Sequence, residues 1–144
     1  MTTLLAQFVV SSALVVLCVF VHGFGLFSLN RALRTEAAIE RLRRVNALSP
    51  RGVLFTLGVV VAMLALHGIE IWLFALTYLG IGAIPTLEAS LYFSTISYST
   101  VGYNDTHVLP DWRLLGAFES LLGMILLGWS TAFLFRMIGR IDPH

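Results

Sequence analysis

The sequence predicts an all-α membrane protein with three spanning helices, from its composition and from three long apolar segments. Of its 144 residues, 58% are hydrophobic and only 12% are charged, which is typical of membrane proteins rather than of soluble domains. The segments 4–29, 52–79 and 112–138 are each longer than the roughly 20 apolar residues that cross a hydrocarbon core. Zinc-ligand spacings, nucleotide-binding glycine loops and nucleophile elbows are absent, so we expect no enzyme, no nucleic-acid partner and no small-molecule substrate.

The first apolar segment, within residues 1–29, is interpreted as a transmembrane helix. It lacks the basic start of a signal peptide and its apolar run is too long for one. Near its far end stand His22, Gly23 and Gly25, which we interpret as helix packing through small residues with His22 near the membrane interface. The one cysteine, Cys18, allows no intrachain disulfide and is interpreted as small membrane filler.

Residues 30–51 form a basic linker. Its six arginines outnumber its two acidic residues, Glu36 and Glu40. The positive-inside rule places such a segment in the cytoplasm, where it would lie on anionic lipid headgroups. We therefore expect a multi-pass protein of the cell (inner) membrane, with its N-terminus outside and its C-terminus cytoplasmic.

The second span carries two ionisable residues, His67 and Glu70, on one helix face. Ionisable residues at this depth are costly and usually face the protein interior. A proton sensor or a transition-metal site is one interpretation. The favoured one is a buried hydrogen-bonded pair that fastens this helix to its neighbours, because two ligands make a poor metal site.

A fourth, shorter helix is predicted over 86–98. Thr86 can cap its start and Glu88 lies in its first turn. At about a dozen residues it is too short to cross the membrane, so we expect it to dip in and return. Its C-terminal end would then carry partial negative charge towards the membrane centre.

The residues that follow this helix are Thr100, Val101, Gly102 and Tyr103, and they resemble the selectivity filter of the potassium-channel superfamily, Thr-Val-Gly-Tyr-Gly. In such a filter, rings of backbone carbonyls replace the water that an ion loses on entering a narrow pore. Gly102 can take a positive φ without steric cost. Asn104 stands where the family has glycine, and asparagine tolerates the left-handed region next best.

The chain is similar to the short bacterial pore domain of that superfamily, two spans and a pore loop, with an extra N-terminal helix. The resemblance implies a pore domain over 52–138, with outer helix 52–79, pore helix 86–98, filter 100–104 and inner helix 112–138. It also implies a homotetramer in a lipid membrane, with potassium ions at the filter carbonyls and no other cofactor.

The resemblance further implies roles for single residues. The carbonyls of Thr100, Val101, Gly102, Tyr103 and Asn104 would bind ions, and Asp105 would stand at the outer mouth. Gly123 falls where the family has a gating hinge, although close helix packing is the alternative. The cavity would be lined by the residues Met124, Leu127, Thr131 and Phe135.

Glu119 lies one turn before Gly123 in the outer half of the third span. Its helical phase turns it towards the short helix, so we expect it to form hydrogen bonds behind the filter, linked to His67 or Glu70. These three residues are interpreted as buried polar support.

The favoured function is passive, potassium-selective conduction. A weakly selective cation channel is the alternative that Asn104 raises, and a non-conducting membrane-assembly subunit is a third. We expect no cytoplasmic ligand-binding domain after Phe135 and find no arginine ladder of a voltage sensor. Gating would then depend on lipid, pH, membrane tension, a partner or the filter itself.

Overall fold

The computed structural model describes residues 4–34, 49–102 and 110–141, where every regular element is a helix. They are α1 (Leu4–Ala32), α2 (Pro50–Gly80), α3 (Leu87–Tyr98), a 3-10 turn (Pro110–Trp112) and α4 (Arg113–Ile141). Three of them are long and apolar enough to cross a membrane: α1, α2 and the part Arg113–Gly139 of α4. The predicted all-α membrane fold is thereby confirmed for the described residues.

Two helix starts are set by hydroxyl caps. The Ser49 side chain accepts a hydrogen bond from the Gly52 N–H at 3.1 Å, with proline in the first turn, so α2 begins at Pro50 rather than at residue 52. The Thr86 side chain accepts from the Ala89 N–H at 3.2 Å. Both caps satisfy backbone donors that the first turn of a helix leaves unpaired.

A tight turn sends the chain from α2 back into the fold. Gly82 takes a left-handed φ of 68°, which glycine adopts without steric cost. The N–H groups of Ala83 and Ile84 donate to the Tyr78 carbonyl at 2.9 and 3.3 Å, and both side chains are buried. The turn therefore directs α3 back along the helix that precedes it.

The short helix α3 is packed between α2 and α4, and α1 packs against both of these long helices. The main core combines residues of all four helices, among them Cys18, Phe74, Phe93, Leu122 and Leu126. The first span is thus part of the chain's own core rather than an appendage.

The end of α3 lies close to mid-span. Gly123, which contacts the backbone of Tyr98, is ten residues beyond Arg113, the start of α4, or about 15 Å along a helix that rises 1.5 Å per residue. A hydrocarbon core is about 30 Å thick. The position of α3 beside the first half of α4 is the one expected of the predicted re-entrant helix.

Large apolar side chains are exposed on α1 and α2. Phe20 and Phe24 of α1 are each 72% exposed, and Leu54 of α2 is 71% exposed. Apolar surface of this extent is normal where lipid or another chain covers it.

Candidate functional site

The chain makes a sharp turn directly after α3. Thr100 has a φ of 63° and Gly102 a φ of 57°, and their N–H groups donate to the carbonyls of Ser97 (2.9 Å) and Ile96 (3.0 Å). The left-handed region costs a β-branched residue about 1–3 kcal/mol, so the Thr100 geometry is held in place by its surroundings. The sequence predicted a positive φ at Gly102, but it did not predict one at Thr100.

The described part of the predicted filter is uncovered. Thr100, Val101 and Gly102 are all exposed, Val101 at 56%. Tyr103, Asn104 and Asp105 lie outside the described residues. The three described residues are therefore uncovered by the rest of the chain, at the end of a helix that stops near mid-span.

A buried carboxylate, Glu70, is the centre of a first polar cluster. Its Oε1 lies 2.9 Å from Nδ1 of His22, and its Oε2 lies 3.2 Å from Nδ1 of His67. The Tyr98 hydroxyl, from the last residue of α3, donates to the same Oε2 and lies 2.8 Å from Nδ1 of His67. We call these residues, together with Ser130, the Glu70 cluster.

The Glu70 cluster joins all four helices. His22 belongs to α1, His67 and Glu70 to α2, and Tyr98 to α3, while Ser130 of α4 places its hydroxyl 3.2 Å from Nε2 of His22. His22 and Glu70 are fully buried and His67 is 7% exposed. The cluster thereby connects Tyr98, the last residue of α3, to the other three helices.

His22, predicted to lie near the membrane interface, is fully buried inside the protein. Its imidazole is enclosed between Glu70, Ser130 and the ring of Trp129, whose centroid lies 5.3 Å away. The same rule that drew attention to His67, that ionisable residues inside a span have partners in the protein, applies equally to His22.

Glu119 is the centre of a second polar cluster. Its carboxylate is fully buried and accepts from the Tyr78 hydroxyl at 2.8 Å and from the Ser94 hydroxyl. Ser94 also lies 2.8 Å from the Ile71 carbonyl. Glu119 thus forms the expected hydrogen bond to the short helix, through Ser94. Its described partners are Tyr78 and Ser94, whereas those of His67 and Glu70 belong to the Glu70 cluster.

Tyr78 and Ser94 were not identified from the sequence as site residues. A signal existed for Ser94, because Ser90, Ser94 and Ser97 share a face of an otherwise apolar helix at spacings of three and four. Tyr78 was assigned no such role because an aromatic residue near a helix end is typical of membrane interfaces.

Gly123 is in direct contact with the end of α3. A Cβ placed on this glycine would lie 2.0 Å from the carbonyl oxygen of Tyr98 and 2.8 Å from its carbonyl carbon. Only a residue without a side chain lets the two backbones approach so closely. Close packing is therefore sufficient to explain a glycine here, and the hinge stays a prediction.

The face of α4 predicted to line a cavity is turned away from the rest of the chain. Met124 is 57% exposed and Phe135 is 70% exposed; Leu127 and Thr131 are exposed as well. The Thr131 hydroxyl donates a hydrogen bond to the Leu127 carbonyl at 2.8 Å. The opposite face of α4 carries buried residues such as Leu122 and Leu126.

Chemically, the site combines the exposed residues Thr100, Val101 and Gly102 with two buried carboxylates, Glu70 and Glu119. His22, His67 and Glu70 also bring three potential metal-ligand atoms within 4.8 Å of one another. Both carboxylates hold side chains of α3, Ser94 in one case and Tyr98 in the other. The two carboxylates therefore hold α3 at two points, its middle and its last residue.

Comparison with known proteins gives one match. A family model described as "Ion channel" matches residues 53–140, more than half of the chain, including nearly all of α2, all of α3 and most of α4. No curated protein and no solved structure matches the chain significantly.

Proposed function

The chain belongs to this ion-channel family, and from that premise we propose that it is a subunit of a passive, potassium-selective channel. The ions would pass between backbone carbonyls of residues 100–104, supplied by four copies of the chain. Potassium is then the transported substrate rather than a resident cofactor.

One observation carries the proposal: the sequence Thr100-Val101-Gly102-Tyr103 directly follows a helix that stops near mid-span. Carbonyls can replace a hydration shell only where the backbone is free of its own hydrogen-bond partners and shielded from lipid. A short re-entrant helix places the following backbone at that depth. Its carbonyl end also carries partial negative charge, which favours a cation nearby.

The uncovered surfaces of the chain support an assembly around the filter. One chain supplies one set of filter carbonyls, so a ring needs several copies. The exposed filter turn and the exposed face of Met124 and Phe135 on α4 would face the pore and the neighbouring subunits. The exposed phenylalanines of α1 would face lipid.

The two polar clusters would keep the filter in one geometry. The Glu119 carboxylate holds Ser94 in the middle of α3, and the Glu70 carboxylate holds Tyr98 at its end. Hydrogen bonds of this kind are strong when buried, and an unpaired partner is costly. A fixed filter is what a carbonyl ring needs in order to discriminate between ions of different size.

The arginine-rich linker supports a cytoplasmic location for residues 30–51. We accordingly place the protein in the cell membrane, with its N-terminus outside and its C-terminus in the cytoplasm. Anionic lipid headgroups would be partners of the linker arginines.

A second candidate function rests on Asn104. A glycine in the family's pattern is replaced here by a residue with a side chain. If that side chain widens the outer end of the filter, the channel would pass sodium as well as potassium. The same pore would then be a weakly selective cation channel.

The test is ion flux from purified full-length protein in liposomes, comparing outward potassium and sodium gradients. The proposal expects potassium flux well above sodium flux, and its loss in Gly102→Ala, because a methyl group strains a residue with φ of 57°. Gly58→Ala is the matched control, since nothing lies within 4 Å of a Cβ there.

Each alternative has its own outcome. Equal potassium and sodium flux in the wild type, with potassium preference gained in Asn104→Gly, would establish the weakly selective channel. A tetramer that passes neither ion under any condition tested, including in Asn104→Gly, would instead support the non-conducting membrane-assembly subunit and contradict the proposal.

A further inference from the structure

The Glu70 cluster has the donor set of a transition-metal site. Two imidazole nitrogens and one carboxylate converge, with ligand atoms within 4.8 Å of one another. We propose that His22, His67 and Glu70 bind one divalent transition-metal ion of the zinc class inside the membrane part of each chain. The site would be separate from the filter and from the transported ion.

The distances between the donor atoms suit a metal. Zinc binds imidazole nitrogen and carboxylate oxygen at about 2.0–2.2 Å in tetrahedral geometry, so neighbouring ligand atoms lie roughly 3.4 Å apart. The carboxylate oxygens of Glu70 lie 2.9 Å from Nδ1 of His22 and 3.2 Å from Nδ1 of His67. With one donor atom from each residue, the three atoms lie within 4.8 Å of one another, and binding would draw them onto a common ion.

The outer contacts of the cluster are those of a metal site. Ligating histidines usually donate their second ring N–H to a nearby acceptor, which leaves the other nitrogen free to bind. The Ser130 hydroxyl lies 3.2 Å from Nε2 of His22 and can accept that hydrogen bond. The Tyr98 hydroxyl donates to the Glu70 carboxylate and so orients the third ligand.

Charge and donor type favour the zinc class. An ionised carboxylate deep in a membrane is costly unless a positive charge neutralises it, and a divalent ion supplies that charge. Two imidazoles with one carboxylate suit zinc and its first-row neighbours. Magnesium and calcium prefer sites made almost entirely of oxygen.

A bound ion would have a structural consequence. It would tie α1 to α2 beside Tyr98, the last residue of the short helix. The sequence interpretation set a metal site aside because two ligands are too few; the structure supplies the third ligand from α1.

The experiment measures metal binding by the purified full-length chain in detergent, produced without a histidine tag. Zinc is the stoichiometric probe, measured by elemental analysis after dialysis, and cobalt(II) is the spectroscopic probe. The control is the double variant His107→Gln/His144→Gln, which removes the other two of the four histidines. The proposal expects one zinc per chain in the wild type and in this control.

The ligand variants are His22→Gln and Glu70→Gln, which keep polar side chains of similar size. Each should abolish the stoichiometric zinc and the visible cobalt(II) absorption. Ser130→Ala removes only an outer contact, so it should retain one zinc per chain with about tenfold weaker affinity. This milder variant, with the wild type and the control, decides the question even where a ligand variant fails to fold.

Three results would overturn the proposal. The first is wild-type protein that binds no zinc above the level of a detergent blank. The second is zinc that is lost in the His107→Gln/His144→Gln control, and the third is zinc that is kept in folded His22→Gln protein. Any of them would leave the cluster as a hydrogen-bonded connection only. Neither the zinc content nor the cobalt(II) absorption depends on ion flux, so failure of the channel proposal and failure of this one are distinguishable.

Discussion

The contact between Gly123 and the end of α3 makes a sharp prediction about stability. In Gly123→Ala the new Cβ would lie 2.0 Å from the Tyr98 carbonyl oxygen, whereas ordinary van der Waals contacts begin at 3.4 Å. The two backbones must therefore separate by about 1.4 Å, the difference between these distances. The obstacle is backbone, which has no alternative rotamer to adopt.

The expected loss in the free energy of unfolding of Gly123→Ala follows from overpacking. Inserting a methyl group into a tightly packed contact costs about 1–3 kcal/mol, and we expect the upper part of this range. Alanine itself is the better helix former, by about 1 kcal/mol. Gly58→Ala, where nothing lies within 4 Å, measures that gain alone, so the difference between the two variants isolates the overlap.

The assay is thermal unfolding of the purified protein in detergent, followed by circular dichroism. Gly123→Ala should melt several degrees below the wild type, and Gly58→Ala at or slightly above it. If Gly123→Ala were as stable as Gly58→Ala and only channel opening were altered, the packing argument would be refuted and a hinge favoured.

Two further predictions concern the carboxylates behind the filter turn. Glu119→Gln should leave stability and conduction nearly unchanged, because an amide can still accept from Tyr78 and pair with Ser94. Glu119→Leu should lower the free energy of unfolding by about 1–3 kcal/mol, because the buried Tyr78 hydroxyl loses its partner while Ser94 keeps the Ile71 carbonyl. Thermal unfolding of both variants checks this, and a destabilised Gln variant would contradict it. Tyr98→Phe should lower the free energy of unfolding by about 1–3 kcal/mol, because it removes a buried hydrogen-bond donor. Tyr92 is exposed on the same helix, so Tyr92→Phe should leave the melting temperature unchanged. Equal melting temperatures of the two variants would count against the role of the Tyr98 hydroxyl.

Much of the fold follows from local rules. Apolar runs longer than about 20 residues predict spans, and the helices at 4–32, 50–80 and 113–139 are of that kind. Thr86 marked the start of the short helix because a hydroxyl can satisfy its free N–H groups. Glu119 was placed towards α3 by helical phase alone, and its carboxylate accepts from Ser94 of that helix.

The polar partners required tertiary information. His22 and Glu70 are 48 positions apart, and helical phase within one span cannot tell which residue of another span it will meet. The backbone at Thr100 was also unexpected, because a threonine with a φ of 63° violates the local preference and exists only where its surroundings hold it. The Thr100 N–H donates to the Ser97 carbonyl in this turn at 2.9 Å.

The part of the filter that follows Gly102 is inferred from the sequence alone. Tyr103, Asn104 and Asp105 lie outside the described residues, so the effect of asparagine in place of glycine remains a prediction about ion selectivity. It is also the point at which the two channel interpretations diverge.

The central claim is tested most directly by the reversal potential of the current through the purified protein in a planar bilayer, with potassium chloride on one side and sodium chloride at equal concentration on the other. The account predicts a reversal potential displaced from zero in the direction of potassium permeation, with no such current in Gly102→Ala. A reversal potential at zero, or a current that persists unchanged in Gly102→Ala, would contradict it.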